Sequence, residues 1–224
     1  MLRVGLTGGV ACGKSTVGAM LAARGAHLLQ ADTLAHRLYE PGEPVYRTVV
    51  GRFGREILNC NGTIDRKRLA NAAFPDRIGE LNAIVHPAVV AEQNRWLAEC
   101  ARRDPGGIAV VEAALLLEAG AVGDFDKLIV VTCDLEQKVA RYALRAKIPA
   151  DEARAEVLRR SAAQLPDEEK ARRADYVIDT QDHWSRRSGR WRRFGLSWPQ
   201  RRGPSSRHSR PELSTLEEEA SIPA

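Results

Sequence analysis

Short apolar runs alternate with longer amphipathic segments over the first 180 residues of the chain. The runs cover residues 2–7, 26–30, 108–111, 128–132 and 176–179, and they are typical of buried strands. The segments between them predict helices. Strands that alternate with helices favour a parallel sheet covered by helices on both faces. We therefore predict an α/β fold with a doubly wound, five-stranded parallel sheet.

A mainly helical insertion is predicted over residues 44–103, between the second and third strands. Turn-forming pairs predict breaks at Asn61-Gly62, Phe74-Pro75 and His86-Pro87. Because proline is favoured at the first position of a helix, we expect a helix to begin at Pro87.

A second helical region is predicted after the fourth strand. Asp134 is suited to cap a helix over residues 135–145, and further helices are predicted over residues 150–163 and from residue 166. We interpret residues 141–173 as a mobile, arginine-bearing lid on a domain that spans residues 1–180.

The composition changes abruptly at residue 181. Residues 181–210 contain nine arginines and no lysine, with tryptophans spaced seven apart at Trp184, Trp191 and Trp198. We expect residues 181–224 to form a disordered, solvated tail, with a terminus that has diverged or shifted frame. The alternative is a nucleic-acid contact, in which arginines meet phosphates and tryptophans stack on bases. We do not expect nucleic acid as a partner.

Charge and cysteine content add few constraints. The net charge of +5 arises largely from the C-terminal residues, and the four cysteines have no metal-type spacing. Scattered cysteines favour reduced thiols. No apolar run approaches the roughly 20 residues that cross a bilayer, and no signal-peptide pattern is present. We therefore expect a cytoplasmic protein without a membrane partner.

A complete phosphate-binding motif, G-x-x-x-x-G-K-[ST], joins the first strand to the first helix. In such a loop the glycines admit backbone N–H groups to the phosphate oxygens, the lysine brings charge to them, and the serine hydroxyl binds Mg²⁺. The positive end of the following helix points at the same oxygens. The alternative, an ordinary glycine turn, is disfavoured by the strand–loop–helix order. The motif predicts ATP and Mg²⁺ as ligands, with the nucleotide at Gly8, Gly9, Ala11, Cys12, Gly13, Lys14, Ser15 and Thr16 and the metal at Ser15.

Candidate chemical groups also follow the later strands. Asp32 lies just beyond the second strand, where doubly wound folds bind ligands, although an isolated aspartate there is more often an N-cap or a solvated helix-start residue. Glu112 ends the third strand. It is either a second acidic group near Mg²⁺ or a carboxylate at the rim of the site that pairs with a basic side chain. Arg141 and Arg145 lie one helical turn apart and could face a phosphoryl group or simply form a solvated face. An isolated histidine such as His86 is more often a local hydrogen-bonding residue than a catalyst.

The order of these motifs resembles the dephospho-CoA kinase family, which completes coenzyme A synthesis. The resemblance covers residues 4–179. It rests on Leu6-Thr7-Gly8-Gly9, Gly13-Lys14-Ser15-Thr16, Ala31-Asp32, Glu40-Pro41-Gly42, Phe53-Gly54, Asn61-Gly62, Asp65-Arg66, Leu69, Leu81-Asn82, His86-Pro87, Leu115-Leu116-Leu117-Glu118, the spacing of Arg141 and Arg145, Gln164, Lys170 and Ala174-Asp175.

The resemblance implies a P-loop kinase that transfers the γ-phosphoryl group of ATP to the ribose 3′-hydroxyl of dephospho-CoA. It implies that Asp32 is the base for that hydroxyl and that residues 44–103 help to form the acceptor pocket. The implied catalytic residues are Asp32, Lys14, Arg141 and Arg145, and the implied substrate-binding residues are Asp32, His86 and Glu112.

The chain departs from the family pattern at three places. Gln30 stands where the family usually has an aspartate, so it can bring no charge to Mg²⁺. Glu112 and Ala114 stand where the family usually has an aspartate and a proline. After Asp179 the family continues through an Asn- and Gly-containing loop into a helix, whereas this chain enters its Arg/Trp-rich tail.

Two alternatives to this function remain at the level of sequence. Another P-loop kinase, acting on a nucleoside monophosphate or on shikimate, would share the loop and the lid. A nucleic-acid-binding or regulatory P-loop module would share only the loop. The oligomeric state is left open.

Overall fold

The computed structural model describes residues 1–73 and 76–181. Within these residues, five strands form one sheet in the order β2-β3-β1-β4-β5, and every pair of neighbouring strands is parallel. The strands are β1 (Leu2–Gly8), β2 (His27–Gln30), β3 (Ile108–Glu112), β4 (Lys127–Thr132) and β5 (Tyr176–Asp179). The predicted doubly wound parallel sheet is confirmed.

Eight α-helices lie among the described residues. They are α1 (Lys14–Ala22), α2 (Ala31–Leu38), α3 (Pro44–Phe53), α4 (Arg66–Ala73), α5 (Ile78–Arg103), α6 (Leu135–Ala146), α7 (Ala150–Ala162) and α8 (Asp167–Arg172). Short 3-10 helices at Arg55–Ile57 and Ala121–Asp124 complete the order.

Helices cover both faces of the sheet because side chains alternate along each strand. On β3, Val110 packs in one apolar cluster with Val17 of α1. Its neighbours Ala109 and Val111 belong to a second cluster that includes Leu97 of α5. All five residues of β3 are buried, as expected for a strand inside a parallel sheet.

β2 differs from the prediction in its burial. The apolar run at residues 26–30 predicts a buried strand, but residues 27–29 are half-buried and Gln30 is exposed. The reason is topological: β2 lies at the edge of the sheet and pairs only with β3. This edge position leaves the carboxyl end of β2 accessible.

The helical insertion has an apolar core of its own. Val45, Val49, Phe53 and Leu69 are buried there together with Leu81 of α5. The core joins α3, α4 and the start of α5, and α5 also packs against α2. The insertion is therefore anchored to the sheet through α2 and α5.

The predicted helix start at Pro87 is wrong, because Pro87 lies inside α5. Proline removes one backbone bond, to the carbonyl of the residue four positions earlier. Ala83, His86 and Pro87 are all exposed, so water can solvate the freed carbonyl. Of the other predicted breaks, Asn61-Gly62 forms a turn, whereas residues 74 and 75 lie outside the described residues.

Helices α6 and α7 pack directly on the phosphate loop. Val10 is buried with Val139 and Tyr142 of α6 and with Ala153 and Val157 of α7. Asp134 caps α6 as predicted, since its side chain accepts a hydrogen bond of 2.7 Å from the backbone N–H of Gln137. Movement of this region as a lid stays a prediction.

A buried ion pair ties α8 to the loop after β3. The Lys170 side chain is fully buried and its Nζ lies 2.9 Å from Glu118 Oε1. Nζ also donates to Gln164 Oε1 at 3.2 Å, and Glu118 Oε1 accepts a hydrogen bond of 2.9 Å from the backbone N–H of Leu165. We call this group the Lys170 latch.

Two further sequence predictions can be compared with the described residues. No helix within residues 1–73 and 76–181 combines the length and the apolar character that a membrane span requires. The predictions for the tail fall on residues 182–224, which lie outside the described residues.

Candidate active site

The phosphate loop has a backbone that requires glycine at two positions. Gly8 has φ 149°, and a Cβ there would lie 2.1 Å from the carbonyl oxygen of Val131. Gly13, which precedes α1, has φ 92°. Residues with a side chain rarely adopt such positive φ values, so the path of the loop depends on these two glycines.

Lys14 lies inside the loop. Its Nζ donates to the carbonyl oxygens of Gly8 and Gly9, at 3.0 and 2.9 Å. The first turn of α1 carries no acidic residue, so no side chain of that turn neutralises the positive end of the helix dipole. The charge of Lys14 and the dipole both favour an anion at this loop.

Ser15 and Glu112 are in direct contact. Ser15 Oγ lies 2.6 Å from Glu112 Oε1, although 97 residues separate them. The contact follows from the sheet, because β3 pairs with β1 in a register that sets Glu112 beside Leu6. Gln30 Nε2 donates to the other carboxylate oxygen, Glu112 Oε2, at 3.1 Å. The structure thus brings Glu112 to the loop and to Gln30.

The Ser15–Glu112 pair fits a magnesium ion. When the Ser15 hydroxyl donates its proton to Glu112, both oxygen lone pairs remain for a cation. Magnesium is usually held by one or two carboxylates together with substrate phosphates and water. The described residues contain no group of three or more His, Cys, Asp or Glu that could hold a metal alone. Ser15 and Glu112 would therefore share the metal with bound phosphates.

Asp32 and His86 lie on two helices that pack together, α2 and α5. Asp32 is an exposed residue in the first turn of α2, two residues after Gln30. Because Gln30 lies beside Glu112 in the sheet, the first turn of α2, which carries Asp32, lies next to the carboxyl end of β3. His86 is exposed on α5, the helix that packs against α2.

Of the two arginines, only Arg141 is seen to contact the loop. Arg141 donates to the Cys12 carbonyl at 3.3 Å and to Thr180 Oγ1 and O at 2.8 and 2.7 Å. The Thr180 hydroxyl in turn donates to the Cys12 carbonyl at 2.7 Å. Arg145 is exposed one turn later, with its guanidinium 5.3 Å from the ring centre of Tyr142.

Sequence reasoning missed an ion pair at the loop. Lys138 of α6 forms a salt bridge with Asp167 of α8, and a Cβ at Gly9 would lie 2.7 Å from Asp167 Oδ1 and 3.0 Å from Lys138 Nζ. One signal was available, because Lys138 precedes Arg141 by three residues and shares its helix face. Thr180 was also missed, although it follows the last strand.

Two buried cysteines lie near the loop. Burial raises the pKa of the Cys12 thiol. Burial, and then the nearby Cys12, raise the pKa of Cys133 to about 11. Both thiols are therefore protonated at neutral pH.

Comparison with known proteins identifies the family. The family model for dephospho-CoA kinase matches residues 2–185. A dephospho-CoA kinase of Geobacter metallireducens is 44% identical over 181 residues, which are 80% of this chain and 88% of that protein. One of Aquifex aeolicus is 41% identical over the same shares.

Solved structures agree with this fold. A protein of Thermus thermophilus matches with a TM-score of 0.70 and 32% identity, over 88% of this chain and 98% of that one. A dephospho-CoA kinase of Campylobacter jejuni matches with a TM-score of 0.59 and 24% identity, over 82% and 90%. The chain described here belongs to the dephospho-CoA kinase family and is an ATP-dependent phosphotransferase.

Proposed function

We propose that this chain transfers the γ-phosphoryl group of ATP to the ribose 3′-hydroxyl of dephospho-CoA, giving CoA and ADP. Family membership supports the reaction. The observation that carries its assignment to this site is the contact of Ser15 with Glu112 beside Lys14, at the carboxyl end of the sheet, where the first turn of α2 carries Asp32.

On the nucleotide side, we assign ATP to the backbone of residues 8–16. Lys14 donates hydrogen bonds to two loop carbonyls. When ATP binds, it would turn to the β- and γ-phosphates, because its charge interacts more strongly with a charged phosphate than with a neutral carbonyl. Mg²⁺ held by Ser15 and Glu112 would neutralise charge on the same oxygens.

On the acceptor side, we assign Asp32 as the base. An exposed carboxylate at the start of α2 can accept the proton of a hydroxyl that is held against it. The insertion formed by α3, α4 and α5 would hold the rest of dephospho-CoA, with His86 facing solvent on α5. Alignment of the hydroxyl with the γ-phosphorus then accounts for much of the rate.

The lid would complete the site. Arg141 already braces the loop through the Cys12 carbonyl, and we assign it to the nucleotide and its transferring group. Arg145 stacks on Tyr142 at the surface, so its catalytic role requires α6 and α7 to close. Closure would also exclude water that could hydrolyse ATP.

The test is an assay of ADP formation from ATP with dephospho-CoA as acceptor. Asp32→Asn should lower kcat about 10²- to 10⁴-fold, as expected for loss of a general base, with labelled-ATP affinity unchanged. Lys14→Ala should weaken ATP binding and turnover together. Asp124→Asn, an exposed aspartate outside the site, is the matched control.

The acceptor decides between this proposal and its nearest alternatives. Turnover of AMP, CMP or shikimate without turnover of dephospho-CoA would overturn the proposal. Full activity of Asp32→Asn would overturn only the assignment of the base.

We also propose a cytoplasmic location. All four cysteines are unpaired in the structure, which suits a reducing compartment. Fractionation of cells that express a tagged chain would test the location.

A further inference from the structure

Glu112 is held by donors from two different elements. Its Oε1 accepts from Ser15 of α1 and its Oε2 accepts from Gln30 at the end of β2. The residue is only 7% exposed. A Cβ at Gly18 would lie 3.2 Å from Oε2, so α1 closely limits the space on that side. The carboxylate therefore has little freedom to turn.

The amide at position 30 suits this neighbour. Gln30 and Glu112 lie directly side by side in the parallel register of β2 and β3. A carboxylate at position 30 would face Glu112 as a like charge, and the two groups would repel each other. The Gln30 amide donates a hydrogen bond instead, and a bond to a charged acceptor is among the stronger kinds. The donor fixes Oε2 and leaves Oε1 directed at Ser15.

We propose that Gln30 is a positioning residue, which sets the rotamer of Glu112 so that this single carboxylate and Ser15 bind the Mg²⁺ of Mg·ATP. Gln30 itself makes no contact with the metal. The side chains at positions 30 and 112 then act as one unit, with the longer glutamate reaching Ser15 from β3 and the neutral glutamine orienting it. The inference rests on the proposed function only for the presence of Mg·ATP in the loop.

The experiment measures nucleotide binding without an acceptor. The affinity for a fluorescent ATP analogue is determined in EDTA and in saturating Mg²⁺, and the ratio of the two gives the metal response. Gln30→Met keeps the length of the side chain and removes the donor. It should lower the metal response about tenfold, the effect of one hydrogen bond to a charged group, while the affinity in EDTA stays unchanged.

A double-mutant cycle isolates the route through Glu112. Glu112→Gln should lower the metal response strongly, and adding Gln30→Met should lower it no further. Gln93→Met makes the same substitution at a buried glutamine of α5, and it should leave the metal response unchanged even if it lowers the melting temperature. If Gln30→Met does not fold, Gln30→Asn shortens the amide and should show the same loss.

Three results would overturn the proposal. The first is an unchanged metal response in Gln30→Met. The second is a loss that adds fully to that of Glu112→Gln, which would separate the two residues. The third is a stronger metal response in Gln30→Glu than in the wild type, which would assign position 30 to direct metal binding. Failure to phosphorylate dephospho-CoA with a normal metal response would count against the proposed function and not against this inference.

Discussion

Lys170→Met should lower the free energy of unfolding by about 3 kcal/mol. Breaking a buried ion pair by removing one partner costs about 3–5 kcal/mol, because a charge is left without compensation. The lower end applies here, since the Glu118 side chain is 18% exposed and keeps the backbone N–H of Leu165 as a partner. For a chain of this size, the melting temperature should fall by about 6–12 °C.

The measurement is thermal unfolding followed by circular dichroism at neutral pH. Glu118→Gln/Lys170→Met removes both charges, so the double variant should be more stable than Lys170→Met alone. Lys127→Met is the matched control, because Lys127 pairs with Asp175 at the surface, where such pairs contribute little. It should barely change the melting temperature.

The latch should also respond to acid. Burial alone would raise the pKa of Glu118, but the hydrogen bonds from Lys170 and from the Leu165 amide outweigh it and hold the pKa below its usual range. A carboxyl with a lowered pKa stabilises the fold at neutral pH and loses that effect as the pH falls through the folded-state pKa. The difference between wild type and Lys170→Met should therefore shrink in the acid range.

Two outcomes would refute this reasoning. If Lys170→Met costs no more stability than Lys127→Met, the buried pair makes no special contribution. If the double variant is as unstable as the single one, the loss comes from packing and not from the uncompensated charge of Glu118.

Three further predictions concern the phosphate loop and its surroundings. Gly8→Ala should abolish ATP binding, because its Cβ would meet a backbone carbonyl at 2.1 Å. Gly9→Ala meets only the ends of side chains, so it should cost about 1–3 kcal/mol of stability without abolishing binding. Equal losses of the two variants in an ATP-binding titration would contradict this. Asp134→Ala removes the cap of α6 and should cost about 1 kcal/mol in urea unfolding, with an unchanged midpoint as the contrary result. Iodoacetamide at neutral pH should label exposed Cys60 quickly and Cys133 hardly at all, since burial raises the Cys133 pKa to about 11; mass spectrometry after brief labelling gives the order.

Periodicity and local signals were enough to predict most of the elements. The cap at Asp134 and the strand at Tyr176–Asp179 depend on neighbouring residues, and both were found as predicted. The predicted helix start at Pro87 was wrong, because tertiary packing along α5 outweighs the local preference of proline. The burial of β2 was misjudged because strand order, which sets the edge, is not a local property.

The site also has one part that was visible in the sequence and one part that only the fold brings together. The phosphate loop lies within eight consecutive residues, so its motif was visible in the sequence. The Gln30–Glu112 bond joins residues 82 apart, and only the pairing of β2 with β3 brings them together. Gln30 appeared in the sequence as a departure from the family pattern. Its partner could be identified only from the strand register.

The bond between Thr180 and Cys12 has a consequence for synthesis. A ribosome makes the phosphate loop before the later strands, and the hydroxyl that holds its Cys12 carbonyl arrives 168 residues later. A nascent chain can form β1 and α1 early, but the brace must wait until β5 docks beside β4. Domains generally fold as units, so we expect a growing chain to gain tight ATP binding only after β5 and Thr180 have been made. A chain cut before residue 180 would keep the whole motif and lose the brace that holds it.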